Sequence, residues 1–482
     1  MPSDAAPLAA PLMARVEAVA RAAPDRPAFI RADGPVGYGP LTRQVRALAA
    51  QFLRAGLAPG DAVGITLADD WTHILCSLAL IRLGCRQVGL PWRDPAPLRE
   101  GQARRIGLVA IIADAPEDAL GGAALLRPDP AAAACAPDAQ DSLPPIGYGE
   151  LVMATSGTTG RPKLMIAREP MLLDQAARIA GFGAVFLHRP SFDGNHSKRL
   201  SYRSLVTGGT EVLAHDLPAR DLAALVARHG VSRIHLAPKD LAALPDALGA
   251  ASWPAGTTIV TTGTRVPQTV RRDVQGRLRC ALQVVYGTTE AGIVSIAGPH
   301  DHEDHADSVG RILPGVAAEA LDDAGTPLPD GQDGLLRFRT PALVAGYLDD
   351  PEADAEYFRD GWFHPGDVGR RLPGGVLLVA GRADDRMTLG VIKIFPAEIE
   401  AVAEGFPGVA ECAAYPMASA AFGDIPVLAV VPREGFDAAA LLAHCRARLG
   451  LRAPRRVVVV PALPRNAQGK VLRRELAGTV AP

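Results

Sequence analysis

Leu151 to Lys163 reads LVMATSGTTGRPK. The apolar run Leu151 to Ala154 predicts a buried strand. It gives way to Thr155-Ser156-Gly157-Thr158-Thr159-Gly160 and then to Arg161-Pro162-Lys163. Glycine has no Cβ and accepts positive φ, so backbone N–H groups in such a stretch can close on an anion. Ser and Thr add hydroxyl donors, and Lys163 adds a point positive charge suited to phosphate. This is the chemistry of a phosphate-binding loop. The string is neither a Walker A loop nor a dinucleotide fingerprint, because it contains neither G-x-x-x-x-G-K-[ST] nor G-x-G-x-x-G. A Ser/Thr/Gly run is more often a plain surface connection. Here the exact string TSGTTGRPK, placed directly after a strand, favours the phosphate reading.

A second constellation, Tyr286-Gly287-Thr288-Thr289-Glu290, follows the apolar run Leu282 to Val285. Ligands of open α/β sheets lie beyond the carboxyl ends of strands. At such a place an aromatic followed by Gly can stack on a purine, a Thr hydroxyl can reach phosphate, and a carboxylate can hold Mg2+. Near the C-terminus, Pro464 to Lys470 (PRNAQGK) sets Gly469 before Lys470, which presents a mobile ammonium. Alone, a Glu after a strand is usually a cap and a Gly-Lys pair usually a polar turn. Their order along one chain argues for chemistry.

Apolar periodicity predicts how the chain positions these groups. Helices over 8–22, 38–53 and 71–83 alternate with strands at 28–30, 62–67 and 108–112, the pattern of an α/β domain with a largely parallel sheet. Residues 128–145, rich in Ala and Pro, read as a loose connector into the phosphate loop. Helices at 171–179 and 222–229 and strands at 184–187, 234–236, 257–261, 282–285 and 335–338 continue the domain. From Arg382 the pattern becomes a second α/β unit: strand 391–395, helix 396–403, strand 427–431, helix 438–449, strand 457–460. A chain of 482 residues is too long for one compact core, which agrees with two or three domains.

Composition excludes several function classes. A net charge of −2 gives no steering toward nucleic acid or an anionic membrane. The six Cys are scattered without a C-x-x-C pair, which argues against a zinc site or a disulfide framework and suits a reducing cytosol. The N-terminus lacks the charged n-region of a signal peptide, and no apolar run reaches the roughly 18 residues of a membrane span. The expected location is cytoplasmic.

The string TSGTTGRPK resembles the phosphate loop of the adenylate-forming (AMP-binding) superfamily, which includes acyl-CoA synthetases, luciferases and the adenylation domains of peptide synthetases. The resemblance runs from about Tyr38 to Leu476 through further motifs in the expected order. It implies a large N-terminal domain, 1–384, with mixed and parallel sheets, and a small C-terminal α+β lid, 385–482, hinged near Asp385. It places Thr155, Ser156, Gly157, Thr158, Thr159, Gly160 and Lys163 on the ATP phosphates. YGTTE matches the nucleotide-and-magnesium motif and gives those roles to Tyr286, Gly287, Thr289 and Glu290. Gly361 to Asp367 (GWFHPGD) resembles the segment whose Asp grips the ribose, with Pro365 where Thr is usual. Gly381 to Asp385 (GRADD) brings Arg382 to the ribose or phosphate side. Gly263, Thr264 and Arg265 fall where a glycine-rich segment lines the adenine, with Arg265 in place of a usual Pro. Lys470 matches the lysine that bridges the carboxylate and the α-phosphate during adenylation, and VLRREL after it resembles the family's closing helix.

The chain departs from this pattern in two places. Phe192-Asp193, in the segment that shapes the acyl pocket, resembles the pair with which amino-acid-activating domains hold a substrate ammonium. A buried Asp193 would favour an amine-bearing acid; an Asp193 that caps a helix would leave an ordinary aliphatic or aryl acid. In Thr388 to Lys393, Gly390 is kept but Val391 fills the second of two positions that are usually glycine beside the pantetheine tunnel. The resemblance therefore implies ATP- and Mg2+-dependent activation of a small carboxylic acid to an acyl-adenylate, with release of pyrophosphate. The acyl group then passes to a thiol, of CoA or of a carrier protein. Three other readings stay open: an amino-acid-type adenylating enzyme, an amide-forming ligase, and a non-catalytic nucleotide-binding relative. A homodimer is compatible with all of them.

Overall fold

The computed structural model describes residues 10–115, 120–155, 163–178, 185–189, 191–214, 217–249, 253–301, 305, 308–389, 392–419, 423–465 and 470–479. The chain forms two compact units. One comprises residues 1–235, 289–292 and 340–358; the other comprises 236–288, 293–339 and 359–482.

The first unit is the α/β domain expected from the periodicity. Its six-stranded sheet runs Ala124–Leu126, Ala110–Ala113, Ala62–Thr66, Arg86–Gly89, Glu150–Thr155, Lys163–Arg168. All neighbours pair in parallel except the last two, which are antiparallel with Thr155 opposite Lys163. The phosphate-loop string thus joins two antiparallel strands, and Lys163 opens the second. Helix Asp70–Leu83 is buried throughout apart from its first residue. Asp69 caps it by accepting from the Thr72 N–H at 2.7 Å, and Gly84, at φ 73°, ends it in the left-handed conformation. Helix Tyr38–Arg54 buries Tyr38, Leu41, Val45, Leu48 and Phe52, a stripe at three- and four-residue steps.

A second group of strands in this unit includes Val185–His188, parallel to both Thr210–Leu213 and Arg233–His235. Between the first two lies helix Asn195–Val206, which the periodicity did not reveal. Nine of its twelve residues are buried although five of the nine are Ser, Lys or Arg. The connector at 128–145 is not wholly irregular: Pro130–Cys135 is a short helix capped by Asp129.

In the second unit, Thr258–Thr262 runs parallel to Ala281–Thr288. Asp367–Leu372 and Val376–Arg382 form an antiparallel hairpin whose register sets Asp367 opposite Arg382. Its bulge at Val368/Gly369 needs glycine, because a Cβ on Gly369 would meet the Leu378 carbonyl at 2.1 Å. The C-terminal part has helices Pro396–Ala403 and Ala438–Leu449, as read from sequence. Its sheet adds a strand not read there, Val409–Ser419, antiparallel to Gly423–Pro432. Met387, Ile394, Ile399, Leu428, Val430 and Leu441 form its dry core. Among the described residues no helix is long and apolar enough to cross a membrane, and all six cysteines are free.

Candidate active site

The site residues of the first unit meet through the segment 340–358. Thr340 Oγ1 donates to the Ala291 carbonyl at 2.7 Å, and the Val344 N–H donates to the Glu290 carbonyl at 2.9 Å. On the other side, the Leu348 N–H donates to the Leu164 carbonyl at 2.6 Å. The segment thereby ties the Glu290 turn to the strand that begins at Lys163. Tyr347 sits at the junction. Its hydroxyl donates to Glu290 Oε1 at 2.8 Å, and its ring face receives the Lys163 ammonium 5.2 Å from the centroid. Tyr357 holds the same ammonium at 3.7 Å. Two ring faces thus hold the ammonium by cation–π attraction. Burial, and then the adjacent Glu290 charge, push the Tyr347 hydroxyl well above the usual tyrosine range, so it stays a donor.

Glu290 is only 7% exposed. Its second oxygen accepts no hydrogen bond among the described residues, which leaves a hard oxygen ligand of the kind Mg2+ takes. Arg199, on helix Asn195–Val206, feels the Glu290 charge: burial lowers its pKa to about 10 and Glu290 opposes the shift. The Glu290 charge thus acts on a guanidinium in the second turn of that helix.

Phe192 is buried, with its N–H donating to Asp70 Oδ1 at 2.9 Å and its ring edge-on to His73 at 5.6 Å. Asp193 is half-buried. It does not cap the helix that follows, whose N-cap is Gly194 without a side-chain cap bond. Thr155 ends its strand. Ser156, Gly157, Thr158, Thr159 and Gly160 lie outside the described residues, as do Gly390 and Val391.

In the second unit the hairpin register brings Asp367 and Arg382 together. Arg382 Nη1 lies 3.5 Å from Asp367 Oδ1, and its guanidinium also donates to the Pro365 carbonyl and to Asp384 at 3.2 Å. The Tyr286 hydroxyl donates a short hydrogen bond to Asp367 Oδ2, while its ring meets Phe338 edge-on at 5.8 Å. Burial raises the Asp367 pKa; Tyr286, Arg382 and the positive charge of Lys470 all act the other way. The C-terminal lysine thus bears on the carboxylate read as the ribose grip. Gly263, at φ 103°, has open space where a Cβ would stand, and Thr262 Oγ1 donates to the Val285 carbonyl at 2.8 Å. Next to Thr264, Arg265 turns its guanidinium onto Glu404, with contacts of 2.7 and 3.3 Å. Asp385 lies 3.8 Å from Arg473, which also pairs with Glu400 at 2.7 Å.

The structure thus gathers Tyr286, Asp367, Arg382 and Lys470 in one unit, and Lys163 with Glu290 in the other. Sequence reasoning missed Tyr347, Tyr357, Arg199 and Glu404. Only an aromatic after Gly346 marked Tyr347, and nothing in the local sequence marked the rest.

Residues 16–348 match the family model for AMP-binding enzymes, and residues 398–470 match the model for the AMP-binding enzyme C-terminal domain. The chain is 30% identical to a sulfoacetate–CoA ligase of Cupriavidus necator, over 94% of each chain. It is 29% identical to a feruloyl-CoA synthase of Amycolatopsis, over 95% of this chain and 96% of the relative. Among solved structures, the amide bond synthetase of Marinactinospora thermotolerans superposes with a TM-score of 0.85 at 26% identity, over 97% of this chain and 99% of that one.

Proposed function

The chain belongs to the AMP-binding enzyme family, and from that premise we propose how it works as an ATP-dependent acid–thiol ligase. It activates a carboxylic acid as an acyl-adenylate, releases pyrophosphate, and passes the acyl group to the thiol of CoA. One observation carries the assignment of residues: the Lys470 charge acts on Asp367, the carboxylate that Tyr286 and Arg382 also hold. That charge effect supports giving Lys470 the task of neutralising charge on the adjacent α-phosphate.

Asp367 accepts the ribose hydroxyls as a two-oxygen acceptor. Gly263 and Thr264 border the adenine. Lys163 meets the outer phosphates with the Thr155 loop; among the described residues its ammonium rests on the ring faces of Tyr347 and Tyr357. Glu290 is the residue that would hold Mg2+, which supplies charge neutralisation at phosphoryl oxygens. Tyr347 aims that carboxylate. The substrate carboxylate attacks the α-phosphorus in line as pyrophosphate leaves. Positioning and preorganised charge carry such a reaction, and Lys470 contributes the charge.

For the second half-reaction, the C-terminal part, 385–482, turns about Asp385 and withdraws Lys470. The turn breaks or re-forms ion pairs such as Asp385–Arg473. The names of the sulfoacetate and feruloyl relatives support CoA as the acceptor. A second reading, transfer to an amine, draws on the likeness to the amide bond synthetase. ATP–pyrophosphate exchange across aliphatic, aryl and amino acids tests the first step. Product analysis with CoA and with amines tests the second. Absence of exchange with every acid class would refute the adenylation assignment.

A further inference from the structure

Helix Asn195–Val206 opens beside a run of imidazoles. Strands Val185–His188 and Arg233–His235 are parallel neighbours, and their last residues, His188 and His235, pair in register. Open α/β sheets bind ligands beyond the carboxyl ends of such strands. The helix follows the first of these strands and carries His196 in its first turn. The His196 ring stands 5.6 Å from the His235 ring, tilted by 46°. Phe186 meets His235 edge-on at 5.2 Å and His188 at 5.7 Å. Exposure differs along this run. His235 is 6% exposed and His188 3%, whereas His196 is open to solvent. Burial nevertheless pushes the His196 pKa down to about 3, and Arg199, Arg203 and His188 add to the shift. A side chain that is open to solvent and yet densely surrounded lines a cleft, not a convex surface.

The cleft has donors and little competing negative charge. No side chain caps the helix, and its first turn closes with the Lys198 N–H donating to the Gly194 carbonyl at 3.3 Å. The N–H groups of Asn195, His196 and Ser197 are thus left without intrahelical partners at the positive end of the helix dipole. The His235 imidazole, more than nine-tenths buried, makes ring contacts but no hydrogen bond among the described residues. Arg199 and Arg203 follow His196 at three- and four-residue steps, on one face of the helix. The carboxyl that meets these rings is Glu211, 3.8 Å from His188 Nδ1. Burial pushes its pKa up to about 8, and Ser201 Oγ donates to it at 2.6 Å, so at neutral pH it is largely uncharged. Asp193 bears on Lys198, where burial is the larger influence; that lysine lies two residues on from His196 and so faces away from it. Glu290 bears on Arg199, again second to burial.

We propose that the open end of helix Asn195–Val206, with His196, Arg199 and His235, is a cleft that binds an oxyanion. Its role rests on the adenylation reading: the oxyanion is a second carboxylate or a sulfonate of the substrate, remote from the carboxyl that is activated. The acid is then a dianion. Neutral imidazoles and helix N–H groups donate to the oxyanion, and Arg199 adds a charge-assisted bond. His235 is specificity-determining, because the apolar tail of a monoanionic acid would leave this buried donor without a partner.

The test compares kcat/KM in ATP–pyrophosphate exchange for matched acids that differ in the second charge: butanoate and butanedioate, propanoate and 3-sulfopropanoate, 4-methylbenzoate and benzene-1,4-dicarboxylate. The wild type should favour the dianionic member of at least one pair by about tenfold or more, and the pair that responds tells carboxylate from sulfonate. H235F, which keeps a ring against Phe186, and R199M should each lower that ratio about tenfold. A wild-type preference below about tenfold in every active pair overturns the proposal. A drop of about threefold or more in either variant supports it, and a smaller drop in both overturns it. Should one variant not fold, the other decides; should neither fold, H196Q decides by the same threshold. If no acid drives exchange, the adenylation reading falls. Calorimetric binding of ethane-1,2-disulfonate, which has no carboxyl to activate, then decides the cleft by itself. Affinity lowered about threefold or more in H235F or R199M supports it, and no binding, or a smaller change in both, overturns it.

Discussion

The two carboxylates read as nucleotide ligands are held in opposite ways. Glu290 receives a neutral tyrosine hydroxyl, and the nearby Lys163 is seated on aromatic faces rather than on an acid. Asp367 stands among charges, with Arg382 at 3.5 Å and Lys470 bearing on it. The unit that contains Asp367 also carries the ion pairs Arg265–Glu404, Arg473–Glu400 and Arg473–Asp385. Aromatic packing and neutral hydrogen bonds hold one geometry with little sensitivity to salt. Partly exposed ion pairs exchange partners cheaply and weaken as salt rises.

The largest expected effect comes from removing the mobile charge. Lys470→Ala should lower acyl-adenylate formation by about a hundredfold to a thousandfold, the range seen when one preorganised charge-stabilising group is lost. Thioester synthesis from supplied acyl-AMP should stay within about twofold if the proposed rotation withdraws Lys470 for that step. Equal loss in both half-reactions would show that the two halves do not divide the work. Next, Tyr347→Phe removes the hydroxyl from Glu290 and keeps the ring under Lys163. A hydrogen bond to a charged group is worth about 1.5–3 kcal/mol, so the Mg2+ concentration for half-maximal exchange should rise about tenfold. If maximal rate falls and Mg2+ dependence stays put, Tyr347 is not aiming the carboxylate.

The Arg265–Glu404 pair sharpens the comparison on the charged side. Arg265→Ala and Glu404→Ala should each slow adenylation about three- to tenfold and leave thiolysis of acyl-AMP unchanged, as a partly buried two-contact ion pair allows. The double variant should be no slower than the slower single, since both remove one interaction. Additive losses would mean that each residue acts elsewhere. Salt should mimic the single variants in the wild type and have little effect on the double.

Much of this site was legible in the sequence because its parts are local. The phosphate loop, YGTTE and the Asp367 and Arg382 segments are contiguous strings. Helices 396–403 and 438–449 were readable from their periodicity, in an ordinary two-sided environment. The illegible parts depend on distance along the chain. Tyr347 meets Glu290 across 57 residues, and Arg265 meets Glu404 across 139. Helix Asn195–Val206 hid for another reason. Its Ser, Lys and Arg look like a solvated surface, yet Lys198, Ser201, Arg203 and Ser204 are inside. A polar segment that the fold buries defeats any reading that equates polarity with exposure.

Lys198 complicates the comparison, because it is a fully buried amine in the unit that holds Glu290. Its folded pKa of about 7 lies below the ordinary lysine value of 10.5. Between those two values the unfolded chain holds the proton and the folded chain does not. Stability contributed by this group therefore rises with pH across that window, by on the order of 1 kcal/mol per pH unit at most. Below about pH 7 both states are protonated and the burial penalty is fully felt. Glu211, pushed up to about 8 by burial, works in the opposite sense at lower pH and is common to wild type and variant. The difference in unfolding free energy between wild type and Lys198→Met cancels such shared terms. That difference should climb from pH 7 to pH 10 in favour of the wild type, measured by urea denaturation at fixed ionic strength. A flat difference would mean that Lys198 keeps its proton throughout, with the Asp193 charge strong enough to hold it.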